Sequence, residues 1–267
     1  MAKQKGPLKY VGTIGDIRHF KIKGQEGYFA GMSGGPTDAQ VKTAPEFQRT
    51  RENMSEFGGC AKAGKSIRVA MSEVLNGMTD PQCTGRLTSI MKKINLEDGT
   101  EARGERKVEI STQRTYLHGF GFDKNISFAS VSYVPYLLNH SVDRLTSNFT
   151  TLAATPASSI NAPIGATHFR YINAIGVVSD YAFNASTGTY EPTNPELNEL
   201  SSTTYGSYSP LNAAYAGEVL DASLPVGTVM TADVSVLHCI GIEFFQEVNG
   251  NFYKFSSGNC LTIDNVY

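Results

Sequence analysis

The spacing of apolar residues changes near residue 105, and this change constrains the fold most. From about residue 46 up to this point, apolar residues recur every three or four positions, as on one face of a helix. After it, short apolar runs alternate with clusters of Gly, Pro, Asn and Ser, which is typical of strands joined by turns. The sequence therefore predicts an α+β fold with two domains: an N-terminal β-hairpin with three short helices at residues 1–104, then an antiparallel β-sandwich at residues 105–267.

The N-terminal module starts with two short strand patterns, at residues 17–23 and 28–30, joined by a glycine-bounded turn. This pattern predicts a β-hairpin. Because an isolated hairpin is marginally stable in water, it must pack on its own domain or extend the sheet of a neighbour.

Three amphipathic helices are predicted after the hairpin. A capping box that begins at Thr43 indicates the start of the first helix, and the Gly58-Gly59 pair indicates its end. The second helix is predicted at residues 61–76 and the third from residue 80 onward. Three- and four-residue spacing predicts one apolar face on each helix, in chain order Phe47, Thr50, Met54 and Phe57, then Ile67, Ala70, Met71, Val74 and Leu75, then Leu87, Ile90, Met91 and Ile94.

About ten strand candidates follow, among them residues 127–134, 167–178 and 239–248. Asn249-Gly250 predicts a tight hairpin turn, because both residues tolerate the positive φ that a type I′ turn requires. Residues 184–215 are rich in Ser, Thr, Asn, Gly and Pro and are predicted to form a long surface loop, a candidate contact surface.

One motif suggests nucleotide chemistry. Residues 59–66 match the phosphate-loop pattern G-x-x-x-x-G-K-[ST], with Gly59, Gly64, Lys65 and Ser66 at its fixed positions. That loop follows a buried strand in a parallel sheet, whereas the residues before Gly59 predict a charged helix. The favoured interpretation is a turn between helices with a solvated lysine, and a nucleotide-binding protein is a less favoured alternative.

No other pattern indicates catalysis or a cofactor. The cysteines form no C-x-x-C pair, the histidines are scattered, and no Gly-x-Ser-x-Gly elbow occurs. Metal, cofactor and enzyme functions are therefore not predicted, and the cysteines are expected to be small buried apolar residues. The residues concerned are Cys60, Cys83, Cys239, Cys260, His19, His118, His140, His168 and His238.

The sequence predicts no membrane insertion. Its longest apolar-rich stretch, residues 234–245, is interrupted by polar side chains and is shorter than the roughly 20 residues that cross a bilayer. The first residues contain no apolar run of the kind that a Sec signal requires. Synthesis in the cytoplasm without a Sec signal is expected, and the final location stays open.

Charge is distributed unevenly along the chain. Residues 1–114 hold 19 Lys plus Arg against 13 Asp plus Glu, whereas residues 115–267 hold 4 against 12. The basic half of one copy can therefore face the acidic half of another. Nucleic acid is the competing partner, but a sequence pI of about 6.2 disfavours it.

The hairpin is followed by the segment PEFQRTRENMSEFG at residues 45–58 and by AGKSIR at residues 63–68. With these segments, residues 8–75 resemble a group of uncharacterised bacterial proteins that share this N-terminal module and differ in a β-rich remainder. The resemblance implies that the glycine-lysine match belongs to a helical module, and it implies no activity.

These observations favour a non-enzymatic structural protein that assembles with copies of itself into a filament, tube, sheath, shell or phage-like particle, with other components as further candidate partners. The alternative is a binding module that recognises carbohydrate or protein through residues 184–215, with Tyr190, Tyr205 or Tyr208 as stacking residues. The candidate assembly residues are Phe20, Ile22, Tyr28, Phe29, Arg49 and Arg51.

Overall fold

The computed structural model describes residues 2–32 and 34–267. Contacts divide the chain into two compact units, Met1–Arg51 and Glu52–Tyr267, which we call the first unit and the second unit. Each unit combines helix with antiparallel sheet, so the chain is α+β. Residue 104, where the sequence suggests a domain boundary, lies inside the second unit.

The first unit holds a four-stranded antiparallel sheet with the strand order β1-β4-β3-β2. Strands β3 and β4 lie where the two N-terminal strand patterns are predicted, and they pair from Ile17 opposite Met32 to Phe20 opposite Phe29. A short helix and one 3₁₀ turn follow. The bounds are β1 (Ala2–Lys3), β2 (Gly12–Ile14), β3 (Ile17–Phe20), β4 (Phe29–Met32), α1 (Asp38–Thr43) and the 3₁₀ turn Pro45–Phe47.

The capping box lies earlier than predicted. Thr37 caps α1, and its hydroxyl accepts a hydrogen bond from the backbone N–H of Gln40. Thr43 is instead the last residue of that helix, and its hydroxyl donates to the carbonyl of Ala39 at 2.8 Å. The prediction at Thr43 was wrong because Thr37 offers the same capping chemistry one helix earlier.

The first two predicted helices are one continuous helix, α2 (Gln48–Ala70). The predicted break at Gly58-Gly59 was wrong, because Gly59 is required for close packing. A Cβ atom on Gly59 would lie 2.4 Å from Cγ of Tyr190, so only glycine lets this ring lie against the helix. The cost of a helical glycine, about 1 kcal/mol relative to alanine, is small enough for the helix to continue.

The third helix, α3 (Cys83–Glu97), buries the face predicted for it, including Leu87, Met91 and Ile94. Helices α2 and α3 share a hydrophobic cluster with residues of the β-rich half, among them Leu237 and Ile263. Helices α2 and α3 therefore share one core cluster with strands of the second unit.

The remaining elements belong to the second unit. A seven-stranded antiparallel sheet has the order β11-β8-β14-β16-β5, with β12 beside β8 and β15 beside β14, and the smaller sheets are β13-β7-β6 and β10-β9. The bounds are β5 (Phe120–Gly121), α4 (Phe128–Val131), β6 (Tyr136–His140), β7 (Thr146–Thr151), α5 (Pro156–Ser159), β8 (His168–Ser179), β9 (Tyr181–Asn184), β10 (Thr189–Pro192), β11 (Ser201–Tyr205), β12 (Ser209–Pro210), β13 (Glu218–Ser223), β14 (Val234–Val248), β15 (Asn251–Lys254) and β16 (Cys260–Val266), with a 3₁₀ turn at Arg114–Tyr116.

The predictions for residues 105–267 agree with the structure at one turn and differ from it in two segments. The Asn249-Gly250 turn is confirmed, since both residues have positive φ and join β14 to β15. The strand predicted at 127–134 contains α4 instead, because Ser127 forms a capping box with Ser130. The long loop predicted at 184–215 contains β10, β11 and β12.

Strand β11 shows why that loop prediction was wrong. It pairs with β8 from Ser201 opposite Gly176 to Tyr205 opposite Ile172. Its sequence, SSTTY, is polar but ends in β-branched and aromatic residues that favour a strand. The polar side chains reflect the partial exposure of this strand, and they do not prevent it from joining the sheet.

The large sheet is covered on both faces. On the face opposite the helices, Phe149 of β7 and Leu220 of β13 share a cluster with Tyr171 and Phe244 of the long central strands. Among the described residues, no helix is both long enough and apolar enough to span a bilayer.

Two adjacent glycines in α2 give a matched test of the helix packing. We expect Gly59→Ala to lower the free energy of unfolding by about 2 kcal/mol, because the added methyl group overlaps the buried Tyr190 ring. We expect Gly58→Ala, which meets no atom within 4 Å, to raise it by roughly 0.5–1 kcal/mol through helix propensity. Urea unfolding of both variants measures the difference, and equal effects would contradict the packing described here.

Candidate functional site

Four of the predicted assembly residues lie on the sheet of the first unit or beside it. Phe20 and Phe29 are directly opposed on β3 and β4, and their ring centres are 6.3 Å apart in a stacked arrangement. Ile22 and Tyr28 follow and precede these strands, and all four side chains are half-buried. The ammonium group of Lys21 lies 4.6 Å from the ring centre of Tyr28, so cation and aromatic surface are combined here.

The two predicted arginines differ in their surroundings. Arg51 donates hydrogen bonds to the carbonyl oxygens of Val41 at 2.9 Å and Ala44 at 2.8 Å. It thereby satisfies backbone acceptors at the end of α1 and has a structural role within its own unit. Arg49 is exposed near the start of α2, and its place at an interface stays a prediction.

The first unit lacks a core of its own. None of its described residues, 2–32 and 34–51, is buried. Several of its large apolar side chains are more than half exposed, with exposed fractions of 70% for Leu8, 68% for Val11, 60% for Ile14 and 83% for Met32. Sequence reasoning missed these residues, because they lie outside the alternating strand patterns on which the prediction depended.

The first unit is also basic. It contains nine Lys plus Arg against four Asp plus Glu, whereas the rest of the chain contains 14 against 21. The first unit therefore combines uncovered apolar surface with positive charge, and the chain that follows it is acidic.

The glycine-lysine motif at residues 59–66 does not form a phosphate loop. Residues 59–66 lie inside α2, where backbone N–H groups bond to carbonyls one turn earlier and are not available to a phosphate. Gly64 is buried against Leu87, to which an added Cβ would approach within 3.4 Å, and Lys65 is exposed. The motif supports helix packing. The solvated lysine agrees with the interpretation favoured from the sequence, but the predicted turn between helices was wrong, because α2 is continuous through both glycines.

Ser66 of the same motif takes part in a polar contact between α2 and the strands. Its hydroxyl lies 2.5 Å from the hydroxyl of Tyr181 and donates to Oε1 of Glu199 at 2.8 Å. Asn198 donates to the Ser66 hydroxyl at 3.1 Å. These bonds satisfy the hydrogen-bonding groups of a buried serine.

A buried histidine lies between the large sheet and β7. Nε2 of His238 is 2.9 Å from Oδ1 of Asn173, whose amide donates to the carbonyls of Ser147 and Leu220. Burial lowers the pKa of His238 to about 4, with a smaller contribution from His140. This histidine is a neutral, hydrogen-bonded residue of the core.

The four cysteines are buried, as predicted. Burial raises the pKa of Cys60 and of Cys260 to about 12, so both remain protonated thiols at neutral pH. Across residues 2–32 and 34–267, no group of three or more His, Cys, Asp or Glu side chains is placed to hold a metal ion.

An aromatic patch lies at one end of β8 and β14. The Arg170 guanidinium is 4.2 Å from the ring centre of Tyr205 and 5.2 Å from that of Tyr208, and it bonds to the buried carboxylate of Glu243 at 2.7 Å. Tyr208 stacks on Phe252 with ring centres 4.2 Å apart. Two of the three tyrosines proposed for stacking therefore meet here.

Tyr190, the third tyrosine proposed for stacking, lies outside the aromatic patch. It is buried against α2, and its hydroxyl donates to the carbonyl of Arg106 at 2.8 Å. Its ring is therefore not available to a ligand.

No protein-family model matches this chain, and no curated protein matches it either.

The buried histidine predicts a measurable pH dependence. An unfolded histidine takes up its proton near pH 6.5, but His238 does so only near pH 4 in the folded chain. Protonation of the unfolded state therefore lowers stability as the pH falls from 6.5 to 4, by about 3 kcal/mol in total. We expect the unfolding free energy of a His238→Gln variant to decline less steeply across this range. His118→Gln, at an exposed position, is the control, and equal slopes for wild type and His238→Gln would contradict the prediction.

Proposed function

We propose that this chain is a non-enzymatic structural protein that assembles with copies of itself, and that its first unit is the principal assembly surface. The observation that carries the proposal is the absence of any buried side chain among the described residues of that unit. The product is an open or closed polymer, such as a filament, tube, sheath, shell or phage-like particle.

The physical argument concerns the stability of a small sheet. Ordering a residue costs about 1–2 kcal/mol of backbone entropy, and burial of apolar surface is the main compensation. A sheet whose apolar side chains remain in water gains little of this compensation. Val11, Ile14 and Met32 would gain it where a second molecule covers them.

Charge favours another copy as that second molecule. The first unit has an excess of five positive charges, and residues 171–253 contain nine Asp plus Glu and neither Lys nor Arg. Opposite charges attract the first unit of one copy to the later part of the next. Contacts between unlike surfaces of this kind build rings or open polymers.

The finer architecture is part of the same proposal. We take β3 and β4 as an N-terminal β-hairpin that presents the sheet of the first unit to a neighbour. We take the seven-stranded sheet and β13-β7-β6 as the two layers of an antiparallel β-sandwich that forms the rigid body of each subunit. The cluster that joins Phe149 and Leu220 to Tyr171 supports this arrangement.

A second candidate function is recognition of carbohydrate or protein by the aromatic patch. It is favoured by the exposure of Tyr208, 41%, and by its stacking on Phe252. Against it, Arg170 and Glu243 already satisfy each other, and a monomeric binding module would not need the exposed apolar residues of the first unit.

Substitution of an exposed apolar residue tests the assembly function. We expect wild-type protein to form oligomers whose mass rises with concentration in size-exclusion chromatography with light scattering. Val11→Asp should weaken association at least about tenfold, because it places a charge in the apolar contact. Its effect on the unfolding of an unassembled subunit should be small, because Val11 is already exposed.

Ile164→Asp is the matched control, since Ile164 is fully exposed in the second unit. It should leave association unchanged. A wild-type protein that stays monomeric over a wide range of concentration would overturn the proposed function.

A further inference from the structure

A second uncovered apolar surface lies between α2 and α3. Phe57 and Leu96 are 60% and 56% exposed, and they border a cleft of about 540 Å³. Small side chains form much of its lining. Lys92, which pairs with the buried carboxylate of Glu56, and the exposed Lys93 also line it. We call this surface the helix cleft, and its lining residues are Phe57, Ala61, Thr84, Gly85, Thr88, Ser89, Lys92, Lys93 and Leu96.

The exposure of residues at the helix cleft contradicts the apolar face that helical spacing predicts for the first helix. Phe57 and Met54 belong to the apolar face predicted for the first helix, yet both are exposed, whereas α2 buries Cys60 and Ala63. An apolar face that the subunit leaves in water marks a contact surface.

Gly85 supports the same conclusion. It is the third residue of α3, and a Cβ atom added there would meet no atom within 4 Å. Nothing within the subunit requires glycine at this position. The space above its Cα atom is therefore open to a neighbouring molecule.

A complementary surface lies at the loop between β13 and β14. Val226 is fully exposed and Val229 is 76% exposed, although both are apolar. They share a shallow cleft with the exposed carboxylate of Glu196. This loop belongs to the stretch from residue 171 to residue 253 that contains neither Lys nor Arg.

We infer that the loop carrying Val226 and Val229 of one copy docks in the helix cleft of the next. The valines fill the space above Gly85, and Glu196 lies near Lys93. This inference rests on the proposed self-assembly and adds a second contact to it, with the acidic part of one subunit placed on the basic helices of its neighbour. Charge favours this occupant over a second helix cleft, because two such clefts would bring their lysines together.

Cysteine cross-linking tests the contact directly. The four native cysteines are buried, so new surface thiols will react selectively. We expect a mixture of Gly85→Cys and Val226→Cys proteins to form a covalent dimer under mild oxidation, and neither protein alone to do so. A chain with both substitutions should give a ladder of covalent multimers on a non-reducing gel. Ile164→Cys mixed with Gly85→Cys is the control.

A charge exchange provides a test that does not depend on disulfide geometry. Lys93→Glu and Glu196→Lys should each weaken association by about threefold to tenfold, and a chain that carries both should recover most of that loss. No recovery, together with no mixed dimer, would overturn the inference.

The remaining outcomes are also decisive. Covalent dimers from Gly85→Cys alone would show two helix clefts in contact, and a Gly85→Cys thiol shielded in dissociated monomer would show the cleft filled within the chain. Either result overturns the inference. If wild-type protein assembles and these contacts do not form, the proposed function stands and only this contact is wrong. If wild-type protein never assembles, both fail.

Discussion

The pairing of β8 with β14 is the interaction on which the rest of the structure depends. These two long antiparallel strands are matched from Val234 opposite Ser179 to Phe245 opposite His168, and almost all of their paired residues are buried. Because side chains alternate across a strand, the same backbone supplies apolar residues to two layers. Helices α2 and α3 cover one face and the smaller sheet contributes to the other, so the second unit has a core of its own.

The first unit has no such core, and this contrast carries the functional account. Strands β3 and β4 pair without a register shift and α1 is capped, yet the described side chains of this unit remain at least partly in water. The helix cleft and the exposed valines between β13 and β14 are further apolar surfaces that the second unit leaves uncovered. Assembly would cover these surfaces with each other, and the unequal distribution of charge would set the direction of the contacts.

Local signals were predictable from the sequence, and contacts between distant residues were not. The Asn249-Gly250 turn and the buried face of α3 follow from φ preferences and from helical spacing. The continuity of α2 depends on Gly59 against Tyr190, which no local pattern reveals. Four of the residues predicted for assembly lie on or beside the sheet of the first unit, but Arg51 was not recognised as a cap of α1. The exposure of Phe57 depends on which face of α2 the large sheet covers.

Hydrogen exchange of the backbone amides in β1 to β4, measured at low and at high protein concentration, tests the central claim most directly. If the first unit is stabilised by another copy, these amides exchange at least about tenfold more slowly in the assembled protein, whereas amides of β8 and β14 are protected at both concentrations. Equal and strong protection of β1 to β4 in dilute monomer would contradict the account, because the sheet would then be stable without a partner.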